Sequence, residues 1–218
     1  GKAICQYVEY LAANLDPDEY VIEASFLKCG EHLERFEKRG IRSVCANWNG
    51  SPSNAIGASR YARLLAKGQF DLIHQHTGGR FLTWMSRNLT NAKVILHVHG
   101  RTSDQAIAVS TRVYLPARDA TIATSRVVAN ACGDPGAVVI YPGIDTEVFQ
   151  FEPEIRERGT VIGTVTRLEP VKGINTLIEA IGIVSSDRPA VQLQIAGEGK
   201  LRKALEQRAA QLRLTKSV

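Results

Sequence analysis

The stretch T-V-I-G-T-V-T-R-L-E-P-V-K-G-I-N-T-L-I-E-A, Thr160 to Ala180, decides the fold. Its β-branched run over residues 161–165 reads as a buried strand. A helix follows, because Ile174, Leu177, Ile178 and Ile181 recur at the i, i+3, i+4, i+7 spacing of one buried stripe. The loop between them carries Arg167 and Lys172, two cations beside a helix start. Unpaired N–H groups and a positive dipole make such a start suitable for an anion. Arg adds a planar fork for phosphate oxygens and Lys a mobile point charge. The combination predicts a phosphate or diphosphate site. It is not a Walker A loop, since G-x-x-x-x-G-K-[ST] cannot be laid over these residues.

Towards the C-terminus, residues 191–196 read as a second strand and residues 200–214 as a helix, joined by Gly197-Glu198-Gly199. A dinucleotide fingerprint fails there, because Arg202 stands where G-x-G-x-x-G needs its third glycine. Towards the N-terminus the same alternation continues. Helices are expected over residues 1–15, 31–39, from the loop at 47–53 to 67, over 104–115 and over 125–131. Strands are expected over 20–27, 41–46, 70–76, 92–99, 119–124 and 137–140. Strand and helix in turn predict an α/β fold with parallel, Rossmann-like, doubly wound sheets. Two of the strands end in H-x-H, His74-Gln75-His76 and His97-Val98-His99. Period-two alternation puts each pair on one strand face, at the carboxyl edge where open parallel sheets bind ligands. Zinc ranks low here, because no Asp, Glu or Cys follows a ligand pattern.

The pattern T-V-T-R-L-E-P-V-K-G-I-N-T-L-I-E-A, followed by V-Q-L-Q-I-A-G-E-G-K-L-R-K-A-L-E, resembles the donor-binding half of glycosyltransferase family 4. The resemblance implies a retaining enzyme of GT-B architecture. It places donor-diphosphate contacts on Arg167 and Lys172, and donor loops on Gly163, Gly173, Gly197 and Glu198. His99-Gly100 matches the family's strand-end His-Gly, which implies that His99 sits near the donor sugar in a catalytic role. Gly1, His76 and Gly100 fall on the acceptor side, Gly1 as the last glycine of a Gly-Gly loop. Tyr141-Pro142-Gly143-Ile144-Asp145 resembles the family's crossing segment, with Pro142 where Asn is usual.

The implied domains are an acceptor-side unit over 1–149, a charged linker over 150–159 and the start of a donor domain over 160–218. The family's donor domain runs on to an E-x7-E motif, and its first strand precedes the Gly-Gly loop. A fragment with little transfer activity of its own is therefore expected, with self-association through the unfinished domain. The implied activity is hexosyl transfer from a nucleotide sugar to a hydroxyl of a sugar, lipid-linked or other acceptor, with retention and with neither cofactor nor metal. A sugar-nucleotide epimerase is the nearest alternative, and no carboxylate pair for it is visible. A non-catalytic sugar-nucleotide binder is the other.

Composition agrees with an ordinary globular chain, 44% hydrophobic and 22% charged over 218 residues. The net charge of +5 fits an anionic substrate or a loose contact with a membrane surface. Basic-aromatic alternation is absent, so no nucleic-acid partner is expected. Cys5, Cys29, Cys45 and Cys132 are scattered, which reads as separate small core residues in a reducing cytoplasm.

Overall fold

A computed structural model describes residues 2–76, 80–100, 117–150 and 160–215. Gly1, Gly78-Gly79, the helix expected over 104–115 and nearly all of the linker lie outside the described residues. The chain divides into two compact units, Gly1–Phe149 and Gln150–Val218.

The first unit runs α1 (Lys2–Asn14), β1 (Glu23–Phe26), α2 (Glu31–Lys38), β2 (Arg42–Cys45), α3 (Ala55–Lys67), β3 (Leu72–Gln75), α4 (Arg80–Leu89), β4 (Lys93–Val98), β5 (Ala120–Ala123), α5 (Arg126–Cys132) and β6 (Val138–Val139). Every pairing is parallel, but the strands fall into two ladders, β1-β2 and β3-β4-β5-β6. Both faces of the larger ladder carry helices. Gln75 points to one face and donates from Nε2 to Thr83 Oγ1 of α4 at 2.8 Å. The histidines flanking Gln75 point to the other face, where Tyr7 of α1 meets His76 at 5.8 Å between ring centroids. Local signals set the helix starts. Asn54 accepts from the Gly57 N–H at 3.0 Å, and Ser125 Oγ accepts from the Val128 N–H at 3.2 Å.

The core of this unit gathers Ala46, Trp48, Tyr61, Leu65, Leu82 and Met85. Trp48 lies in the segment read as a turn-rich loop, yet it is only 1% exposed. Burial is tolerable because its indole N–H donates to the Ser51 carbonyl at 2.8 Å, so the loop satisfies its own tryptophan. Buried Glu9 of α1 meets Arg35 at 2.5 Å and Arg39 at 2.6 Å, which tie α1 to α2 and its end.

The cysteines require a correction. Cys29 and Cys45 form a disulfide with their Cα atoms 5.5 Å apart. The register that sets Phe26 opposite Cys45 carries the chain after β1 towards the end of β2, a proximity no sequence spacing displays. Cys132 is a free, fully buried core residue and Cys5 a free, half-buried one.

The second unit runs β7 (Val161–Val165), a 3₁₀ turn (Pro170–Lys172), α6 (Ile174–Asp187), β8 (Gln192–Ala196) and α7 (Arg202–Gln211), with β7 and β8 parallel. Ile174, Ile178 and Ile181 form the expected buried stripe and pack with Leu168, Val191, Leu193, Leu205, Ala209 and Leu214. The expectation of a buried strand at 161–165 is not met. Val165 is 89% exposed, because it pairs with Ala196 on the sheet face opposite Leu193, away from the buried cluster. Among the described residues no helix is long and apolar enough to cross a membrane.

Candidate functional site

Two constellations carry the chemistry, one in each unit. In the first, β3 and β4 run in parallel register with His74 opposite Ile95 and Gln75 opposite Leu96. Continuing that register sets His76 beside His97, so the two H-x-H runs stand on one face as a ladder of four imidazoles. His76 and His99 each follow the last residue of their strand, at the carboxyl edge. His74 Nε2 lies 3.0 Å from His97 Nδ1, and His76 Nδ1 lies 2.8 Å from His99 Nε2. The rings stack, with 4.2 Å between the centroids of His97 and His99 and 5.1 Å between those of His76 and His99. Tyr7 of α1 closes the ladder, edge-on to His97 at 5.2 Å and to His99 at 5.8 Å.

Burial dominates the electrostatics. It pushes the His76 pKa down to about 2 and that of His97 to about 3, with the neighbouring imidazoles adding to each shift. His74 and His99 are lowered from the same first cause. All four rings are therefore neutral at pH 7, each offering one N–H donor and one lone pair. Such a row can hydrogen-bond a hydroxyl or pass a proton, but it cannot act as a cation.

In the second unit, Thr166 to Gly173 connects β7 to α6. The Thr166 N–H donates to the Ala196 carbonyl at 3.0 Å and the Leu168 N–H to the Glu198 carbonyl at 2.9 Å. The strand pairing thus runs on past β7 and β8 and brings the Arg167 loop against the Gly197–Glu198 loop. Glycine is required at this contact: a Cβ on Gly197 would lie 1.7 Å from the Thr166 carbonyl oxygen, and one on Gly199 2.5 Å from that of Leu168. Gly173 is left-handed, at φ 65°, and turns the chain into α6 without any side-chain cap. The first-turn N–H groups of α6 have no intrahelical partner by the geometry of a helix start.

Arg167 Nη1 donates to Glu169 Oε1 at 2.6 Å and is 69% exposed, leaving most of its fork free of that bond. Lys172 is exposed and makes no ion pair among the described residues. Glu198 pairs with Arg202, and Arg202 reaches Glu206 at 3.0 Å. A cleft of about 470 Å³ includes Leu168, Gly197, Glu198, Arg202 and Glu206 in its lining, but neither Arg167 nor Lys172.

The structure thus places Arg167, Lys172, Gly173, Gly197 and Glu198 on adjoining loops, and His76, His99 and Gly100 at one sheet edge. Gly163 lies inside β7, and among the described residues no atom beyond its chain neighbours comes within 4 Å of where its Cβ would be. Two side chains and one contact escaped the sequence reading. Glu169 restrains Arg167, and its signal was the R-x-E spacing within the loop. Tyr7 had no signal, since its partners, His76, His97 and His99, are about 70 to 90 residues away. The mutual contact of all four histidines depended on the register of two strands, which spacing alone does not give.

A family model described as "Glycosyltransferase Family 4" matches residues 6–148, and one described as "Glycosyl transferases group 1" matches residues 145–218. No curated protein sequence matches the chain. Among solved structures, Anabaena HepE in complex with UDP and glucose is similar at TM-score 0.68 and 20% identity, over 90% of this chain and 60% of that one. The apo form of the lipopolysaccharide outer core galactosyltransferase WaaB is similar at TM-score 0.61 and 13% identity, over 90% and 57%. A variant of S. aureus TarM in complex with fondaparinux, alpha-GlcNAc-glycerol and UDP is similar at TM-score 0.61 and 17% identity, over 74% and 36%. The chain spans between 36% and 60% of the length of these three. At such identities the likeness establishes the fold, α/β with Rossmann-like parallel sheets of GT-B type.

Proposed function

Since the chain belongs to glycosyltransferase family 4, we propose that it transfers a hexose from a nucleotide-sugar donor to an acceptor hydroxyl with retention at the anomeric carbon. One observation carries this reading: Arg167 and Lys172 flank a helix start that has no side-chain cap. Charge develops on the diphosphate as it leaves, and preplaced cations and N–H groups stabilise it without reorganising. Arg167 binds two oxygens through its fork, with Glu169 holding the guanidinium in place. Lys172 adds a point charge, and Gly173 turns the first N–H groups of α6 towards the same anion. Gly197 and Glu198 border the nucleotide, and Gly163 lets β7 approach it closely.

His99 hydrogen-bonds the donor sugar as a neutral imidazole, fixed by His76 at 2.8 Å. His76 and Gly100 shape the acceptor side, where the incoming hydroxyl belongs to a sugar, a lipid-linked sugar or another alcohol. The transfer step needs no metal, because two cations already offset the leaving charge. The solved neighbours carrying UDP support a nucleoside diphosphate as the common chemistry.

Calorimetric titration with UDP, GDP and ADP tests the donor site. Arg167→Ala should weaken the preferred diphosphate by about 1.5–3 kcal/mol, the scale of hydrogen bonds to a charged group. Unchanged affinity would remove the assignment. Retention is read by proton NMR of the product, whose anomeric coupling should match that of the donor.

A further inference from the structure

The histidine ladder has a property that sugar transfer does not use. His74, His76 and His97 each present a ligating nitrogen, and these nitrogens all lie within 4.8 Å of one another. Three imidazoles on two paired strands match the donor set that zinc and its neighbours in the transition series prefer. One further detail favours an ion over a closed hydrogen-bonded row. His97 Nε2 is buried and has no hydrogen-bond partner among the described residues, an expensive state for a ring nitrogen. Tetrahedral ligation wants nitrogens about 3.4 Å apart, so the widest pair must close by about 1.4 Å. Side-chain rotation supplies this, since His74 and His76 are only half-buried.

We propose that His74, His76 and His97 form a binding site for one divalent transition-metal ion, zinc or cobalt, that clamps the carboxyl ends of β3 and β4. His99 lies beside the site and stays available to the sugar. The ion acts on the scaffold and takes no part in the bond that is broken. This is a site additional to the donor loop, carried by the other unit of the chain.

The test uses the full 218-residue chain, free of any histidine tag and stripped with EDTA. Titration with cobalt chloride should give a saturable visible d–d absorption at one ion per chain, displaced by zinc chloride, and zinc should raise the thermal midpoint. His76→Gln and His97→Gln should each lower cobalt affinity at least tenfold, with far-UV circular dichroism reporting that the fold is kept. His32→Gln, which alters the one histidine outside the ladder, should leave it unchanged. A folded wild type without saturable absorption overturns the proposal. So does an absorption that survives both ladder substitutions or disappears with His32→Gln. If His97→Gln fails to fold, His76→Gln decides, because its ring is half-buried.

Discussion

Gly197 shows how much can depend on a missing side chain. The G-E-G spacing was legible as a strand-to-helix loop, but its cause was not. A Cβ there would meet the Thr166 carbonyl oxygen at 1.7 Å, so two backbones touch where spacing shows only a turn. Gly197→Ala should therefore destabilise the fold by about 1–3 kcal/mol through overpacking, read as a lower urea midpoint. Gly163→Ala, with open space around the new methyl, should move the midpoint far less. Equal effects would refute the steric account. His97 gives a second prediction. Its folded pKa, about 3, lies below the unfolded value of about 6.5. The unfolded state therefore takes up the proton first as pH falls. The contribution of His97 to stability is complete above about pH 6.5 and is lost towards pH 3, at up to about 1.4 kcal/mol per unit. With EDTA present, the midpoint of wild type should fall more steeply below about pH 6 than that of His97→Asn. Parallel slopes would show that the ring is not held neutral.

At the scale of elements, periodicity carried most of the fold. The α6 stripe was readable because Ile174, Ile178 and Ile181 repeat every turn and all three are buried. Ile178→Ala should cost about 2–5 kcal/mol of stability, the usual range for a truncated core isoleucine. Ile183→Ala, on the same helix but 74% exposed, should cost under about 0.5 kcal/mol. What stayed illegible depends on neighbours rather than on period. Trp48 is core because its own loop feeds its N–H, and β7 is largely exposed although four of its five residues are β-branched. The Cys29–Cys45 bond belongs to the same class, since it follows from β1 and β2 being paired in register. It spans 16 residues of sequence, so reduction should lower stability by about 3 kcal/mol in the chain-entropy account. The check is urea unfolding with and without dithiothreitol, beside a Cys29→Ser, Cys45→Ser double variant that should not respond to the reductant.

On the scale of the whole molecule, the chemistry divides between the units. The first holds neutral imidazoles in a buried row, and the second holds exposed cations on a loop. The sequence displayed both sets of residues, because each sits where a strand gives way to a loop, the edge at which parallel sheets bind ligands. It displayed neither the closure of the histidines into one cluster nor the hydrogen bonds joining the Arg167 and Gly197 loops, which arise from register. The division predicts two independent responses. The proposed diphosphate binding at an exposed pair of cations would be screened by salt over a Debye length of about 10 Å at 0.1 M. Affinity for a nucleoside diphosphate should therefore fall steadily as sodium chloride is raised, and Lys172→Ala should flatten that dependence. A chelator removes no charge from Arg167 or Lys172, so EDTA should leave the affinity unchanged while abolishing any cobalt or zinc signal from the histidines. Loss of diphosphate binding in EDTA would mean that a metal holds the donor, and the reading of Arg167 and Lys172 as sufficient would fall. Affinity indifferent to salt would show that contacts other than these two cations dominate.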